Sequence, residues 1–104
     1  MVRVDPATRV VKVFPLPKEF ASANLNTAVF DKRGVLWFTG QNGVHGRVDP
    51  VTGKVDAWAS PRGRGSYGIA VTPAGDIWYA SLAGDYIGKV DLATGNVTVV
   101  DPPR

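Results

Sequence analysis

The sequence predicts an all-β protein built of tandem four-stranded β-propeller blades, about two and a half repeats long. Three observations predict it. One motif occurs three times, as Arg3-Val4-Asp5-Pro6-Ala7-Thr8-Arg9, Arg47-Val48-Asp49-Pro50-Val51-Thr52-Gly53 and Lys89-Val90-Asp91-Leu92-Ala93-Thr94-Gly95. A second occurs twice, as Gly34-Val35-Leu36-Trp37-Phe38-Thr39 and Gly75-Asp76-Ile77-Trp78-Tyr79-Ala80. The segments between turn signals are short and rich in valine and aromatic residues, as strands are.

The period, read from Asp49 to Asp91 or from Trp37 to Trp78, is also compatible with helical arrays of the armadillo or HEAT type. The local pattern decides for strands. No segment keeps a helical period, and prolines at 6, 15, 17, 50, 61 and 73 break most helix candidates. Calling the four strands of a blade A to D, residues 2–4 and 10–14 read as a lone C-D pair, so that residues 1–17 form a partial blade. Residues 18–60 and 61–104 read as full blades. In the last blade, A is expected near 67–72, B near 77–81, C near 86–91 and D near 96–100. The turns support this. Asp49 bonds its own backbone two residues on, Pro50 presets φ, and Gly53 takes φ above zero. Arg9 replaces that glycine in the first copy, so a looser hairpin is expected there.

Strand B is apolar on both faces, at Leu36-Trp37-Phe38 and at Ile77-Trp78-Tyr79. Side chains of a strand alternate, so both faces need a cover, and blades stacked around an axis supply one on each side. The tryptophans therefore read first as blade-to-blade core. With closed rings needing roughly four to eight blades, this chain alone does not close one. Either it is a piece of a longer propeller or copies associate head to tail, and self-association is the favoured expectation.

Composition narrows the function classes. The 104 residues carry a net charge of +3, with basic residues spread along the chain, which is no nucleic-acid signature. Cysteine is absent, which removes disulfides, thiolate metal sites and cysteine nucleophiles. No window is long and apolar enough to span a membrane, and residues 1–6 lack the apolar run of a signal peptide. The compartment stays open.

Gly46-Arg47-Val48-Asp49-Pro50-Val51-Thr52-Gly53-Lys54-Val55, Phe14-Pro15-Leu16-Pro17 and residues 68–79, Gly-Ile-Ala-Val-Thr-Pro-Ala-Gly-Asp-Ile-Trp-Tyr, resemble the virginiamycin B lyase (streptogramin lyase) family. NHL-type propellers share part of the pattern. The resemblance implies a seven-bladed ring and a Mg2+-assisted elimination that opens the ester of a cyclic depsipeptide antibiotic. It implies a histidine base, with glutamate and further acidic groups supporting the metal. Here the only histidine is His45, where the next repeat has Ile87, and the only glutamate, Glu19, lies in a D-to-A linker. The position after strand B holds Gly40 and Ser81. No complete catalytic set is found, and Mg2+ is expected only if lyase chemistry is retained. A non-catalytic binding or scaffold propeller, or a self-assembling fragment, is the alternative.

Antiparallel order puts A-B and C-D turns at one end of a blade, and B-C and D-A loops at the other. Function tends to sit on irregular loops over a rigid scaffold, so a site is expected at the second end, near the start of strand A. Its candidate ligand-binding residues are Asn24, Asn26, Gln41, Asn42, Arg62, Arg64 and Tyr67. His45 is the candidate base, with a partly buried strand position as the plainer reading. No metal-ligand set is expected. The asparagines also suit turns, and Arg62 and Arg64 also suit a solvated loop.

Overall fold

The computed structural model describes residues 1–4, 7–8 and 11–101. Expectations for Asp5 and Arg9 lie outside the described residues. The regular structure of the described residues is all-β but for one short 3-10 turn, Lys18–Phe20. An antiparallel hairpin, β1 (Val2–Val4) and β2 (Val11–Val13), comes first. Two antiparallel four-stranded sheets follow. One holds β3 (Leu25–Phe30), β4 (Leu36–Gly40), β5 (Val44–Val48) and β6 (Val55–Ala59) in that order. The other holds β7 (Ser66–Val71), β8 (Ile77–Ser81), β9 (Tyr86–Val90) and β10 (Val97–Val100). The four strands of the last sheet fall within a residue or so of their expected positions.

The repeated turns explain the hairpins. The Asp49 carboxylate accepts from the Val51 N–H at 2.9 Å and Asp91 from the Ala93 N–H at 2.8 Å. The Ala93 bond, with one from the Thr94 N–H, holds the Asp91 carboxyl below its usual range. Gly53 and Gly95 then close the turns at φ 78° and 77°, a region open to glycine at little cost. In the β3–β4 turn Asp31 does more. It accepts from the Arg33 and Val35 N–H groups and, at 2.9 Å, from the Trp37 indole N–H. Burial alone would raise its pKa, but these donors and the Arg33 charge outweigh it and hold the carboxyl low.

Strand alternation then builds two cores from one strand. Trp37 points from β4 toward the last sheet and joins Ile77, Tyr79, Tyr86 and Val90. Phe38 points the other way and meets Phe14 and Val48 beneath the β1–β2 hairpin. Trp37 and Phe38 are both fully buried. Each such side chain contributes roughly 1.5–3 kcal/mol of burial free energy. The innermost strands, β3 and β7, lie against each other. The last sheet is covered on one face only: Ile77 and Tyr79 are buried, while Trp78 between them stays partly exposed.

Candidate functional site

The loop end is shaped by an irregularity that recurs. The register shifts between Leu25 and Ala28 in β3, and between Ser66 and Ile69 in β7. Leu25 pairs with Gly40 and Ser66 with Ser81, so the two bulges occupy the same place in the repeat. A bulge re-aims the side chains it carries, here Asn26-Thr27 and Tyr67-Gly68. Asn26 and Tyr67 are thus equivalents, and both are exposed. The hydroxyls of Thr27 and Thr39 both donate to the Tyr67 carbonyl, which fixes the start of β7 against the preceding sheet.

Around this point the D-A and B-C loops are stitched together. The Asn24 side-chain amide donates to Gln41 Oε1 at 3.2 Å, and the Gln41 N–H donates to the Asn24 carbonyl at 3.0 Å. Asn24 holds φ at 57°, a left-handed conformation that asparagine tolerates better than most residues. Asn42 donates from its side chain to the Ser22 carbonyl and accepts from Arg64 at 3.2 Å. The Gly65 N–H donates to the Gln41 carbonyl at 2.8 Å, and the Leu82 N–H to the Gly65 carbonyl at 2.9 Å. A Cβ on Gly65 would lie 2.5 Å from the Ala83 nitrogen, so this approach requires glycine. The result is a cleft of about 410 Å³ lined by Gln41, Arg64, Gly65, Tyr67, Leu82 and Ala83.

Gln41, Arg64 and Tyr67 therefore meet at one cleft, with Asn24 and Asn42 bonded to its members and Asn26 on the equivalent bulge. Arg62 turns away from it. Its guanidinium pairs with Asp101 at 2.7 Å, donates to the Gly84 carbonyl at 3.2 Å and lies 5.5 Å from the Tyr86 ring centre. Thr27, Thr39, Leu82 and Ala83 are missing from the sequence-based set. The register shift between Leu25 and Ala28 gives Thr27 its place, and neither repeated motif covers that stretch.

His45 is apart from this cluster. It lies in β5 between the sheets, 2% exposed, with the Trp58 and Tyr79 rings stacked 5.7 Å away on either side. A carbonyl only accepts, so Nε2 carries the proton and donates to Gly95 at 2.7 Å, leaving Nδ1 to accept from the Ser60 hydroxyl at 2.9 Å. Burial pushes its pKa down, partly offset by the Gly95 bond. Nε2 ties His45 to the last sheet, and Nδ1 is held by Ser60, which directly follows β6 of its own sheet.

The cleft offers amides, a phenol and one fixed cation. Mg2+ is held chiefly by carboxylates and water in octahedral geometry, and no carboxylate lines this cleft. Among the described residues no three His, Cys, Asp or Glu side chains gather as a metal site. The cleft residues do not by themselves fit the metal. At the opposite end a groove of about 370 Å³ runs between Arg33, Val35, Arg47, Asp49, Lys54 and Asp56. Its charges are largely satisfied internally, with Arg47 3.0 Å and Lys54 4.0 Å from the Asp56 carboxylate.

No model of a known protein family matches the sequence, and no curated protein matches it. Solved structures do. Virginiamycin B lyase from Staphylococcus aureus superposes over 99% of this chain with a TM-score of 0.86 at 24% identity. The chain has the blade architecture of the virginiamycin B lyase propellers. A catalytically inactive histidine-to-alanine form of that lyase, solved with quinupristin, matches at TM-score 0.85 and 23% identity, again over 99% of this chain. A streptogramin B lyase structure matches over 94% of the chain at TM-score 0.81 and 25% identity. The chain spans about a third of the length of these structures: 34%, 34% and 32% of each. The resemblance seen in the blade motifs of residues 46–55 and 68–79 is thus matched in three dimensions. What the lyase propellers share with this chain is the blade. Among the described residues, its one histidine is spent on packing.

Proposed function

We propose that this chain is a ligand-binding segment of a virginiamycin B lyase-like propeller, holding a small molecule with peptide-like polar groups at its loop end. The observation that carries this reading is the convergence of Gln41, Arg64 and Tyr67 on one cleft, with Asn24 and Asn42 bracing them. Side-chain amides match the donor and acceptor of a peptide group. A guanidinium matches a carboxylate or carbonyl oxygen. An exposed tyrosine offers an aromatic face with a polar tip. None of these groups needs a proton transfer, so the cleft by itself supports binding.

A second reading is favoured by the likeness to solved lyases: eliminative opening of a cyclic depsipeptide. Such a reaction removes a proton from the carbon next to the one that bears the ester's alkyl oxygen and breaks that alkyl carbon–oxygen bond, leaving a carbon–carbon double bond and a free carboxylate. It requires a base, which the cleft lacks, so further blades would have to supply one.

Quinupristin separates the two. Titration followed by amide NMR should shift Gln41, Arg64 and Tyr67, and Arg64→Ala should weaken binding about tenfold, some 1.4 kcal/mol. Elimination leaves the ligand's mass unchanged, so chromatography must look for the ring-opened isomer. Binding without the isomer, with or without Mg2+, supports the binding segment, whereas a Mg2+-dependent isomer supports the lyase reading. If neither quinupristin nor simple N-acetyl amino-acid amides move those resonances, the ligand site is refuted.

A further inference from the structure

The motif that repeats three times begins with a basic residue: Arg3, Arg47 and Lys89. The Arg47 guanidinium lies 5.5 Å from the Trp37 ring centre and 5.3 Å from that of Trp58, and donates across the sheet boundary to the Leu92 carbonyl. Leu92 follows Asp91 in the β9–β10 turn of the next sheet. Arg3 makes the same contact one step earlier, donating at 3.4 Å to the carbonyl of Pro50, which follows Asp49 in the β5–β6 turn. Arg3 and Arg47 thus each reach the C-D turn of the sheet after their own.

Lys89 is the third copy, and among the described residues no sheet lies over it. Its ammonium lies 5.9 Å from the Trp78 ring centre, as Arg47 lies over Trp37. Around it Ile87 is 45% and Val100 43% exposed, whereas His45, the equivalent of Ile87, is 2% exposed beneath the last sheet. At the other end of the chain the β1–β2 hairpin leaves Val13 63% exposed. Its repeat equivalent, Val99, packs into the core between the two sheets. The two ends are therefore the two halves of a contact that the chain already makes internally.

We infer that the outer face of β7–β10 docks onto the β1–β2 hairpin of a second copy of this chain, head to tail. Lys89 and Trp78 take the places of Arg47 and Trp37, and the hairpin of the second copy takes the place of the outer half of the next blade. The contact is heterologous, so the two patches on one chain differ. It stands apart from whatever the loop cleft binds.

Sedimentation velocity and native mass spectrometry at low and high concentration test it. The chain should associate as concentration rises. Lys89→Glu and Val13→Asp, both at exposed positions, should each raise the dissociation constant at least about tenfold, with circular dichroism confirming that both fold. An equimolar mixture of the two variants should restore association but stop at two chains, because each contributes one intact patch. A monomer at the highest concentration overturns the inference. So does an assembly weakened by Lys89→Glu but indifferent to Val13→Asp, which would mean that two Trp78 faces meet each other.

Discussion

The sheet β3–β6 and the sheet β7–β10 carry the same repeat, and they differ in how many neighbours they have. The first is covered by the hairpin on one side and by the last sheet on the other. Along β4 every residue from Trp37 to Gly40 is buried. Along β8 burial alternates, with Ile77, Tyr79 and Ser81 inside and Trp78 and Ala80 partly exposed. One pattern of residues has two fates, so burial here follows from stacking and is not a property of the strand alone.

The sharpest way to break that comparison is to truncate both tryptophans. Trp37→Ala should destabilise the chain by about 3–5 kcal/mol, as for a fully enclosed aromatic. Trp78→Ala should lose roughly 1–2 kcal/mol in dilute solution, where one side is open. Urea denaturation at low protein concentration reads both, and equal losses would contradict the difference in burial. Gly46 and Gly88 give the next contrast. A Cβ on Gly46 meets the Asp56 carbonyl oxygen at 2.5 Å as well as the Phe38 ring at 2.4 Å. One on Gly88 meets side chains, Val97 Cγ1 at 2.7 Å and Tyr79 Cε1 at 2.9 Å. Gly46→Ala should therefore lie at the upper end of the roughly 1–3 kcal/mol range for overpacking and Gly88→Ala nearer the lower, as melting temperatures would show.

Asp31 and Thr72 occupy matching turns, but only Asp31 titrates. Its folded pKa lies below the reference 3.8. The stability it adds is complete above 3.8 and is lost as pH falls through the depressed folded value. Asp31→Thr should lose about 1–3 kcal/mol near neutrality, and urea midpoints should fall less on acidification than in the parent. The smallest effect is expected at His45. With its pKa depressed below 6.5, the unfolded chain takes up the proton first. Stability is therefore complete above 6.5 and declines as pH drops toward the lower folded value. His45→Ile, which copies Ile87, should lose about 1 kcal/mol near neutrality through the stranded Ser60 and Gly95 partners. It should also flatten the decline on mild acidification.

Much of the fold was legible because the repeat is written in local chemistry. Asp49 and Asp91 announce their turns, and the alternation in Ile77-Trp78-Tyr79 announces a strand that needs cover on both sides. The loop cleft was legible as a place but not as a membership. Arg64 and Arg62 are two residues apart, yet one faces the cleft and the other is drawn away by Asp101, a contact that depends on where the chain returns. His45 as a replacement for isoleucine pointed to the packed interior, but its bond to Gly95 spans a sheet boundary that a linear pattern does not reveal. The cations Arg3, Arg47 and Lys89 stood in plain sight at the head of each motif copy. Only the packed sheets show what they hold.

A clasp made from one basic side chain and one turn carbonyl sets the step between neighbouring sheets and records nothing about the total. It is made twice in this chain, by Arg3 on Pro50 and by Arg47 on Leu92. Because the acceptor is a backbone carbonyl, the turn residue that carries it can vary, here proline or leucine, without loss of the bond.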